Sequence, residues 1–214
     1  MEEGNIIEQT SKKRYVALTF DDGPSEYTPH ILRILKYYRV KATFFIIGKN
    51  VTQAQHQILK RLISNGNVLG NHTWNHPNIT KLSHKKLTEE IESTNQVIKK
   101  ITNQEVQIFR PPYGEITEES EGTVLELGLI PVLWDLDTLD WNLSIQEPIE
   151  ERVSRQIQRD HIILMHDGGG RREKTVEALP KIIEYLKKQD YEFLTIPEYF
   201  KKVYHLELGS SKKE

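Results

Sequence analysis

Residues 15–38, YVALTFDDGPSEYTPHILRILKYY, join an apolar run to an amphipathic segment through a short polar turn. The run YVALTF is typical of a buried strand, and DDGP is a strong turn sequence. Pro29 suits the first turn of a helix, and the apolar residues after it recur at helical spacing: Ile31, Leu32, Ile34, Leu35 and Tyr38. The stretch therefore predicts a strand that leads through a turn into a helix.

The same strand–turn–helix unit recurs to the end of the chain. Six more apolar runs predict strands: ATFFIIG (42–48), NVLGNH (67–72), VQIFR (106–110), LIPVLWD (129–135), HIILMHD (161–167) and EFLTI (192–196). Helical patterns follow these runs at about 52–65, 83–101, 117–128, 148–157, 174–188 and 197–203. Such regular alternation favours a parallel sheet with helices packed outside it.

We therefore expect an α/β fold, a distorted or incomplete (β/α) barrel with about seven parallel strands. An open doubly wound sheet is the competing architecture. Neither GxGxxG nor GxxxxGKS/T follows the first strand, which removes the main reason to prefer a nucleotide-binding sheet. The fifth run is an atypical strand, because Pro131 cannot donate a hydrogen bond to a neighbouring strand.

Composition limits the class of protein. The chain has 214 residues, 37% of them hydrophobic, which suits one globular domain. We assign this domain to residues 14–203, between a disordered N-terminal tail at 1–13 and a polar C-terminal tail at 204–214. The 29 Lys and Arg residues against 31 Asp and Glu give a formal net charge of −2, which argues against a nucleic-acid partner. No apolar run approaches the ~20 residues that span a bilayer, and we expect a monomer.

The chain contains no cysteine, so any metal ion must be held by His, Asp or Glu. Its start, MEEGNIIEQTSKK, has no apolar region of the kind found in signal peptides. Two locations are consistent with this start. Either the protein is extracellular or attached to the cell wall and its export segment is absent from this chain, or it is cytoplasmic and Met1 is its native start.

Ionisable side chains gather at the C-terminal ends of five predicted strands, where the chemistry of β/α barrels takes place. These ends read TFDDGP (19–24), NHTWNH (71–76), FRPPYG (109–114), WDLDTLDW (134–141) and LMHDGGG (164–170). Each motif alone has an ordinary structural explanation as a turn or a strand end. Five such motifs on one rim instead predict an active site. The other histidines lack such neighbours and are interpreted as surface or structural residues: His30, His56, His84, His161 and His205.

Two histidines four positions apart, with a carboxylate at a neighbouring strand end, predict a metal site. Pro77 disfavours a continued helix, so His72 and His76 belong to a single turn or a tight loop. A catalytic zinc ion typically has three protein ligands and an open position for water. Only one of the adjacent Asp21 and Asp22 is needed as a ligand. Because neighbouring residues at a strand end point in different directions, the other carboxylate can reach the water.

The five motifs resemble, in the same order, those of the polysaccharide deacetylases, which are carbohydrate esterase family 4 with the NodB homology domain. The resemblance covers roughly residues 14–200. It implies a distorted β/α barrel and metal-dependent removal of N-acetyl groups, released as acetate, from N-acetylglucosamine residues of a polysaccharide such as peptidoglycan or chitin.

The resemblance also implies a role for individual residues. Asp22, His72 and His76 would bind one divalent ion, zinc in the first place, with cobalt, nickel or manganese as alternatives. Asp21 would be the general base, oriented by Arg110, and His166 the general acid, tuned by Asp137. Tyr113 would offer its backbone N–H to the oxyanion. The groove for the sugar and its acetyl methyl would be shaped by Pro112, Tyr113, Trp141 and Leu164.

Other functions remain open at this point. An O-acetyl esterase acting on acetylated xylan or another glycan would use the same motifs, but its alcohol leaving group needs less help from His166. A catalytically inactive carbohydrate-binding relative would not need an acid and a base. A metal-dependent amidohydrolase for small cyclic amides would not be expected to carry the complete DDGP motif. The motifs leave the exact glycan open, since groove loops determine that preference.

Overall fold

The computed structural model describes residues 13–208, so segments 1–12 and 209–214, which hold most of the two expected tails, lie outside the described residues. The strands are β1 Arg14–Gly23, β2 Thr43–Ile46, β3 Val68–Asn71, β4 Ile108–Phe109, β5 Ile130–Pro131, β6 Leu136–Asp137, β7 Asp160–His166 and β8 Tyr191–Phe193. The helices are α1 Thr28–Tyr38, α2 His56–Ser64, α3 His84–Thr102, α4 Glu118–Glu126, α5 Ile149–Gln156, α6 Glu173–Lys188 and α7 Ile196–Val203.

All strand pairs are parallel, and the sheet follows the order β5-β4-β3-β2-β1-β7-β6. These seven strands curl into a half-barrel with helices around it, which confirms the predicted fold class. Strand β1 is an interior strand and pairs with β7 along one side. Along its other side, residues 14–16 pair with β8 and residues 19–23 pair with β2. This longest strand therefore carries its C-terminal end to the rim between the ends of β2 and β7.

The fifth predicted strand, 129–135, differs in the structure. Only Ile130–Pro131 of this range forms a strand, β5, which pairs with β4, and a second strand of two residues, β6 at Leu136–Asp137, begins just after the range and pairs with β7. Between them, Val132 N donates to Phe109 O at 2.8 Å and Asp135 N donates to Ile162 O at 2.9 Å. The segment thus leaves one edge of the sheet and joins the other. The barrel is closed by the covalent chain at this point and not by a ladder between two strands.

Two predicted element ends are also shifted. The seventh predicted strand, 192–196, ends earlier because Thr195 caps α7: Thr195 N donates to Glu198 Oε2 at 2.8 Å. The predicted helix at 52–65 begins as an α-helix only at His56, after a 3-10 turn at Gln53–Gln55.

The alternation of side chains along β1 separates the outer core from the barrel interior. Val16, Leu18 and Phe20 belong to the large hydrophobic cluster beneath α1, α2 and α6. Ala17 belongs to the inner cluster, which α7 completes with Ile196, Tyr199 and Phe200. Because successive side chains of a strand point to opposite faces, Thr19 and Asp21 follow Ala17 on the inner face. The same two-residue period that buries the core therefore delivers Asp21 to the interior of the rim.

Candidate active site

Asp21 and Asp22 end β1 in different conformations. Asp21 is still extended and only 3% exposed, whereas Asp22 has a left-handed φ of 73° at the place where pairing with β2 becomes irregular. The two adjacent carboxylates consequently face different surroundings, as expected from the sequence. Gly168 and Gly169 pack against Asp22 so closely that a Cβ at Gly169 would lie 2.1 Å from Asp22 Oδ2.

Arg110 is a fully buried cation that holds Asp21. Its Nη1 donates to Asp21 Oδ1 at 2.9 Å and to Thr19 Oγ1 at 2.7 Å. Its Nε and Nη2 donate to the carbonyls of Val132 and Leu133, and its guanidinium lies 4.1 Å from the ring centre of Phe45. With its donors bonded on several sides, Arg110 fixes the position of the Asp21 carboxylate.

Burial raises the pKa of Asp21 above its ordinary value, although the charge of Arg110 opposes this shift. A carboxylate with a raised pKa accepts a proton more readily near neutral pH. The environment of Asp21 therefore suits a general base.

Residues 72–76 form a tight loop after β3, as the sequence predicted. Thr73 and His76 both have left-handed backbones, with φ of 64° and 62°. Thr73 Oγ1 accepts from His76 N at 3.0 Å. Glu90 of α3 accepts from Trp74 N at 2.8 Å and from Asn75 N at 2.7 Å. These bonds hold the loop in a conformation that brings both histidine rings to the same side.

The side chains of Asp22, His72 and His76 converge, with ligand atoms that all lie within 4.8 Å of one another. His72 Nδ1 lies 2.7 Å from the carbonyl oxygen of Arg110, which leaves Nε2 directed towards Asp22 Oδ1 at 3.6 Å. His76 Nε2 lies 3.3 Å from the same oxygen. Among residues 13–208, this is the one cluster of three or more potential ligands.

Two observations test whether this cluster suits a metal ion. Asp22 Oδ1 is buried and has no hydrogen-bond partner within the described part of the chain, which is costly for a carboxylate unless a cation is bound. Burial lowers the pKa of His72 to about 3, so its imidazole is neutral and can donate a nitrogen lone pair. Two imidazoles and one carboxylate fit zinc or a similar divalent ion.

His166 ends β7 and faces Asp140. Its Nδ1 lies 2.7 Å from Asp140 Oδ1, and its backbone N donates to Asp140 Oδ2 at 2.9 Å. Thr175 Oγ1 donates to the same Oδ2 at 2.7 Å. Burial alone would lower the pKa of His166, but the hydrogen bond and charge of Asp140, with smaller contributions from Asp21 and Asp22, raise it to about 9. His166 is therefore a cation at neutral pH.

The expected partner of His166 was Asp137, and the structure corrects this. Asp137 instead accepts from Leu139 N at 2.7 Å and from Trp141 Nε1 at 3.3 Å. The left-handed backbone of Leu139, with φ of 52°, turns the chain so that Asp140 is the carboxylate facing His166. Asp140 is thus the carboxylate beside His166 that the sequence interpretation missed. The only signal for it was its presence in DLDTLDW, which did not distinguish it from Asp137.

These groups open into one cavity of about 770 Å³. Nine of the predicted site residues line this cavity: Asp21, Asp22, His72, His76, Tyr113, Asp137, Trp141, Leu164 and His166.

Tyr113, one of the predicted groove residues, is 62% exposed and has a left-handed φ of 62°. Its ring centre lies 4.7 Å from that of His76. Pro112, which was expected to shape the groove, is buried within the Tyr113 turn and does not line the cavity. Trp134, Lys49, Asn50 and Arg172 line the cavity without having been predicted.

Comparisons with known proteins agree on one family. The model of the polysaccharide deacetylase family matches residues 8–132, which include the first three motifs. The chain is 39% identical over 190 residues to a peptidoglycan-N-acetylglucosamine deacetylase of Bacillus cereus, a match that covers 88% of this chain and 69% of that protein.

Two solved structures extend this likeness to the fold. The Xyl-CE4 domain of a multidomain xylanase from the hindgut metagenome of Trinervitermes trinervoides has a TM-score of 0.83 and 36% identity over 89% of this chain and 91% of that one. A CE4 family pseudoenzyme from Bacillus anthracis has a TM-score of 0.79 and 35% identity over 87% of this chain and 65% of that one. The same fold is therefore found in proteins described as enzymes and in one described as a pseudoenzyme.

Proposed function

Since the chain belongs to the polysaccharide deacetylase family, we propose that it removes N-acetyl groups from N-acetylglucosamine residues of a cell-wall polysaccharide and releases acetate. The observation that carries this proposal is the arrangement around the cavity. The cluster Asp22–His72–His76 shares the cavity with a buried carboxylate held by Arg110 and an imidazolium held by Asp140. An amide hydrolase needs a base for water and an acid for the leaving amine, and this cavity offers both.

Asp22, His72 and His76 would hold the metal, for which zinc is the first candidate and cobalt, nickel and manganese are alternatives. When bound, such an ion polarises the acetyl carbonyl and lowers the pKa of the attacking water. The protein contributes the neutral state of His72, which burial enforces, and the orientation of its ring, which the Arg110 carbonyl sets.

Asp21 would remove the proton of the attacking water. Its raised pKa favours acceptance of that proton, and its bond to Arg110 holds the carboxylate in place throughout. The oxyanion that forms at the acetyl carbon would receive a hydrogen bond from Tyr113 N. Leu164 would contact the acetyl methyl, and Trp141 and Tyr113 would contact the sugar.

His166 would protonate the nitrogen that leaves. An amine departs from a tetrahedral intermediate only after protonation, and His166 carries a proton at neutral pH because of Asp140. Asp140 acts through His166 and is therefore a positioning residue. Asp137 has a different role, because its carboxylate accepts a hydrogen bond from Trp141 Nε1 and so holds Trp141 at the edge of the cavity.

An O-acetyl esterase acting on acetylated xylan is the second candidate, because the Xyl-CE4 domain of a xylanase shares this fold. The raised pKa of His166 favours the amide over the ester, since an alcohol leaves with less protonation. An inactive carbohydrate-binding protein is the third candidate, since one relative is described as a pseudoenzyme. The presence of both the Asp21–Arg110 pair and the His166–Asp140 pair speaks for catalysis.

The place of action follows from the substrate. No helix within residues 13–208 is long and apolar enough to cross a membrane. A polymer of the cell wall lies outside the cytoplasm, so we propose that the protein acts there. We also expect it to act as a monomer, with one metal ion and one active site per chain, which light scattering on the metal-loaded protein would test.

Acetate release tests the proposed function directly. The zinc-loaded protein is incubated with oligomers of N-acetylglucosamine, with peptidoglycan and with acetylated xylan, before and after treatment with a chelator. We expect acetate from the first two substrates, loss of activity in the chelator and recovery when zinc is restored. Acetate from xylan alone would establish the esterase instead. No acetate from any substrate, with a stoichiometric metal content, would refute the catalytic proposal.

A further inference from the structure

Trp134 lies in the segment that crosses from β5 to β6, and its indole ring reaches the turn that carries Tyr113. It lines the cavity and was not among the predicted site residues. A Cβ built on Gly114 would lie 2.7 Å from Cη2 of Trp134 and 3.3 Å from its Cζ2 and Cζ3. The six-membered ring of the indole therefore packs directly on the backbone of Gly114, where a larger residue would collide with it.

The turn that Trp134 contacts has a conformation that is unfavourable on its own. Tyr113 and Gly114 both have left-handed backbones, with φ of 62° and 71°. Glycine adopts such a backbone freely, but tyrosine does so only when its surroundings hold it there. Tyr113 is 62% exposed, and beyond the contact of its ring with His76 it buries little surface. The contact of Trp134 with Gly114 is consequently well placed to stabilise the turn.

The turn leaves the backbone N–H of Tyr113 available. Gly114 N donates to Pro111 O at 3.0 Å and so closes the turn, whereas Tyr113 N has no acceptor within the described part of the chain. This N–H lies in the peptide plane that leads into Tyr113, so its direction changes with the backbone of the turn. Whatever holds the turn therefore also sets the direction of this donor.

The position of Trp134 is itself fixed from the side of Arg110. The two residues before Trp134, Val132 and Leu133, accept hydrogen bonds from the Arg110 guanidinium through their carbonyls, at 3.1 Å and 3.0 Å. The guanidinium carbon also lies 5.6 Å from the centre of the Trp134 ring, within the range of a cation–π contact. The buried cation that holds the proposed base therefore also anchors the segment that contacts the turn.

We propose that Trp134 is a positioning residue for the oxyanion, because it holds the turn at Tyr113 and Gly114 so that Tyr113 N points at the developing charge. The proposal rests on the proposed function, in which that N–H meets the oxyanion, and adds the residue that keeps the donor in place. A donor aimed at an oxyanion is effective only when it is held in advance, and a misplacement of about 1 Å can cost about 10²-fold in rate. In this role Trp134 acts through Gly114 and not by contact with the reacting atoms.

Trp134→Phe tests this role, because the shorter side chain keeps an aromatic ring but no longer reaches Gly114. kcat and KM are measured on zinc-loaded protein with oligomers of N-acetylglucosamine and with an activated acetate ester. Both substrates form an oxyanion, so we expect kcat to fall by about 10- to 100-fold on both, with KM little changed. His166→Ala should differ, since its loss should fall mainly on the amide.

The control variant is Tyr37→Ala, which truncates an exposed aromatic residue on α1 and should leave kcat unchanged. Because Trp134 is only partly buried, we expect Trp134→Phe to fold and to bind zinc as the parent does. Circular dichroism and metal analysis check this first. A kcat of Trp134→Phe equal to that of the parent on both substrates would overturn the proposal.

A double-mutant cycle tests whether the effect passes through Gly114. Gly114→Ala alone should lower kcat, because its Cβ would collide with the indole and its backbone is left-handed. If Trp134 acts through this contact, Trp134→Phe should cost less than about threefold in the Gly114→Ala background. The full loss in that background would show that the two residues act independently, which contradicts the proposal.

A readout without turnover is the amide resonance of Tyr113 in protein that contains isotope-labelled tyrosine, identified by its absence in Tyr113→Phe. The product acetate can place a carboxylate oxygen where the oxyanion forms, so acetate should shift this resonance in the zinc-loaded parent. In Trp134→Phe we expect a smaller shift and acetate binding weaker by about tenfold, as for one hydrogen bond to an anion. An unchanged shift and an unchanged dissociation constant would overturn the proposal even if kcat fell.

The proposed function fails in a different way. If the parent releases no acetate from the oligomers, but its Tyr113 resonance responds to acetate and loses that response in Trp134→Phe, the positioning role is supported and the deacetylase activity is refuted.

Discussion

His72 and His166 are imidazoles of the same cavity, the first buried and the second partly buried, and their surroundings leave the first neutral and the second positively charged. Burial lowers the pKa of His72 to about 3, and its Nδ1 faces only a neutral carbonyl. His166 Nδ1 instead faces the Asp140 carboxylate, which outweighs the effect of burial and raises the pKa to about 9. A neutral imidazole can bind a metal, and an imidazolium can donate a proton. The partner atom of one ring nitrogen thus assigns each histidine its role.

The role of His166 can be tested by comparing an amide with an ester. His166→Ala should slow deacetylation of N-acetylglucosamine oligomers by about two to four powers of ten, because the amine cannot leave unprotonated. An activated acetate ester with a good leaving group should be affected much less. Both rates are measured on one preparation whose metal content has been checked. Equal losses on the two substrates would mean that His166 serves binding or site integrity and not proton donation.

The pairing of His166 with Asp140 predicts a pH dependence. The acid form of His166 is lost as pH rises through its pKa, so kcat/KM should fall above about pH 9. Asp140→Asn removes the contribution that raises this pKa, so the alkaline limb should move to lower pH. Asp137→Asn is the matched control, since Asp137 contacts Trp141 and not His166. If Asp137→Asn moved the limb and Asp140→Asn did not, the assignment would have to be reversed.

Asp21 offers a second test at the level of one residue. Asp21→Asn keeps the shape of the side chain but cannot accept the proton of water, so turnover should be lost by about two to four powers of ten. Metal content should stay near one ion per chain, since Asp22 supplies the carboxylate ligand. Metal analysis and acetate release on the same sample distinguish the two effects. Substantial turnover at saturating substrate would exclude Asp21 as the base.

Much of the candidate site could be predicted from residue types and their order. The carboxylate pair, the two histidines and Arg110 all occur at strand ends, and strand ends of a parallel barrel meet on one rim. Asp140 could not be predicted in the same way. It lies in a loop after β6, and the left-handed backbone of Leu139 decides which carboxylate faces His166. Such a conformation at a leucine has no signal in the sequence.

The loop 72–76 shows how an element depends on a neighbour. Thr73 and His76 adopt left-handed backbones, which are unfavourable for residues with a Cβ, above all for a β-branched one. Glu90 of α3 offsets this by accepting from the backbone N–H groups of Trp74 and Asn75 and from Asn75 Nδ2 at 2.8 Å. Helix α3 therefore holds the loop that presents two of the three proposed ligands.

Glu90→Ala should weaken metal binding without removing any ligand. The loop would lose three hydrogen bonds and would be less ordered without metal. Because metal binding would then have to order the loop, we expect a zinc affinity lower by about 10- to 100-fold. Glu89→Ala, an exposed glutamate one residue earlier on α3, is the matched control. Zinc affinity is measured by competition with a chromogenic chelator. Equal affinities for the two variants would show that the loop is stable without Glu90.

Element boundaries were predictable where apolar periodicity is long and less so where it is short. Strand β1 and helices α3 and α6 have many periodic residues and lie close to their predicted ranges. The run 129–135 has the composition of one strand, but Pro131 can accept and not donate in a ladder. The chain therefore pairs with β4 only up to this point and crosses to β7, a change of partner that depends on the curvature of the whole sheet.

At the level of the whole molecule, the candidate metal site joins parts of the chain that are distant in sequence. Asp22 lies at the C-terminal end of β1, while His72 and His76 follow β3, and β2 lies between these strands in the sheet. The loop after β7 also packs on Asp22 through Gly168 and Gly169. An ion bound here would connect the C-terminal ends of these strands. Occupancy of the site should therefore affect the unfolding of the entire domain and not only a local loop.

Metal binding should stabilise the folded domain by mass action. A ligand that binds only the folded state at 100 times its Kd adds about 2.7 kcal/mol to the free energy of unfolding. For a domain of this size that corresponds to a rise in Tm of ~5–10 °C.

The variant His76→Ala should lose this gain in Tm. Without metal, its Tm should stay close to that of the metal-free parent, because His76 lies on the rim and is only partly buried. Differential scanning calorimetry with zinc, with magnesium and with a chelator measures these shifts, magnesium being a poor match for two imidazoles. Two results would contradict the proposal that Asp22, His72 and His76 bind a metal that bridges β1 and β3. One is a stoichiometric zinc content in His76→Ala, and the other is a Tm of the parent protein that zinc does not raise.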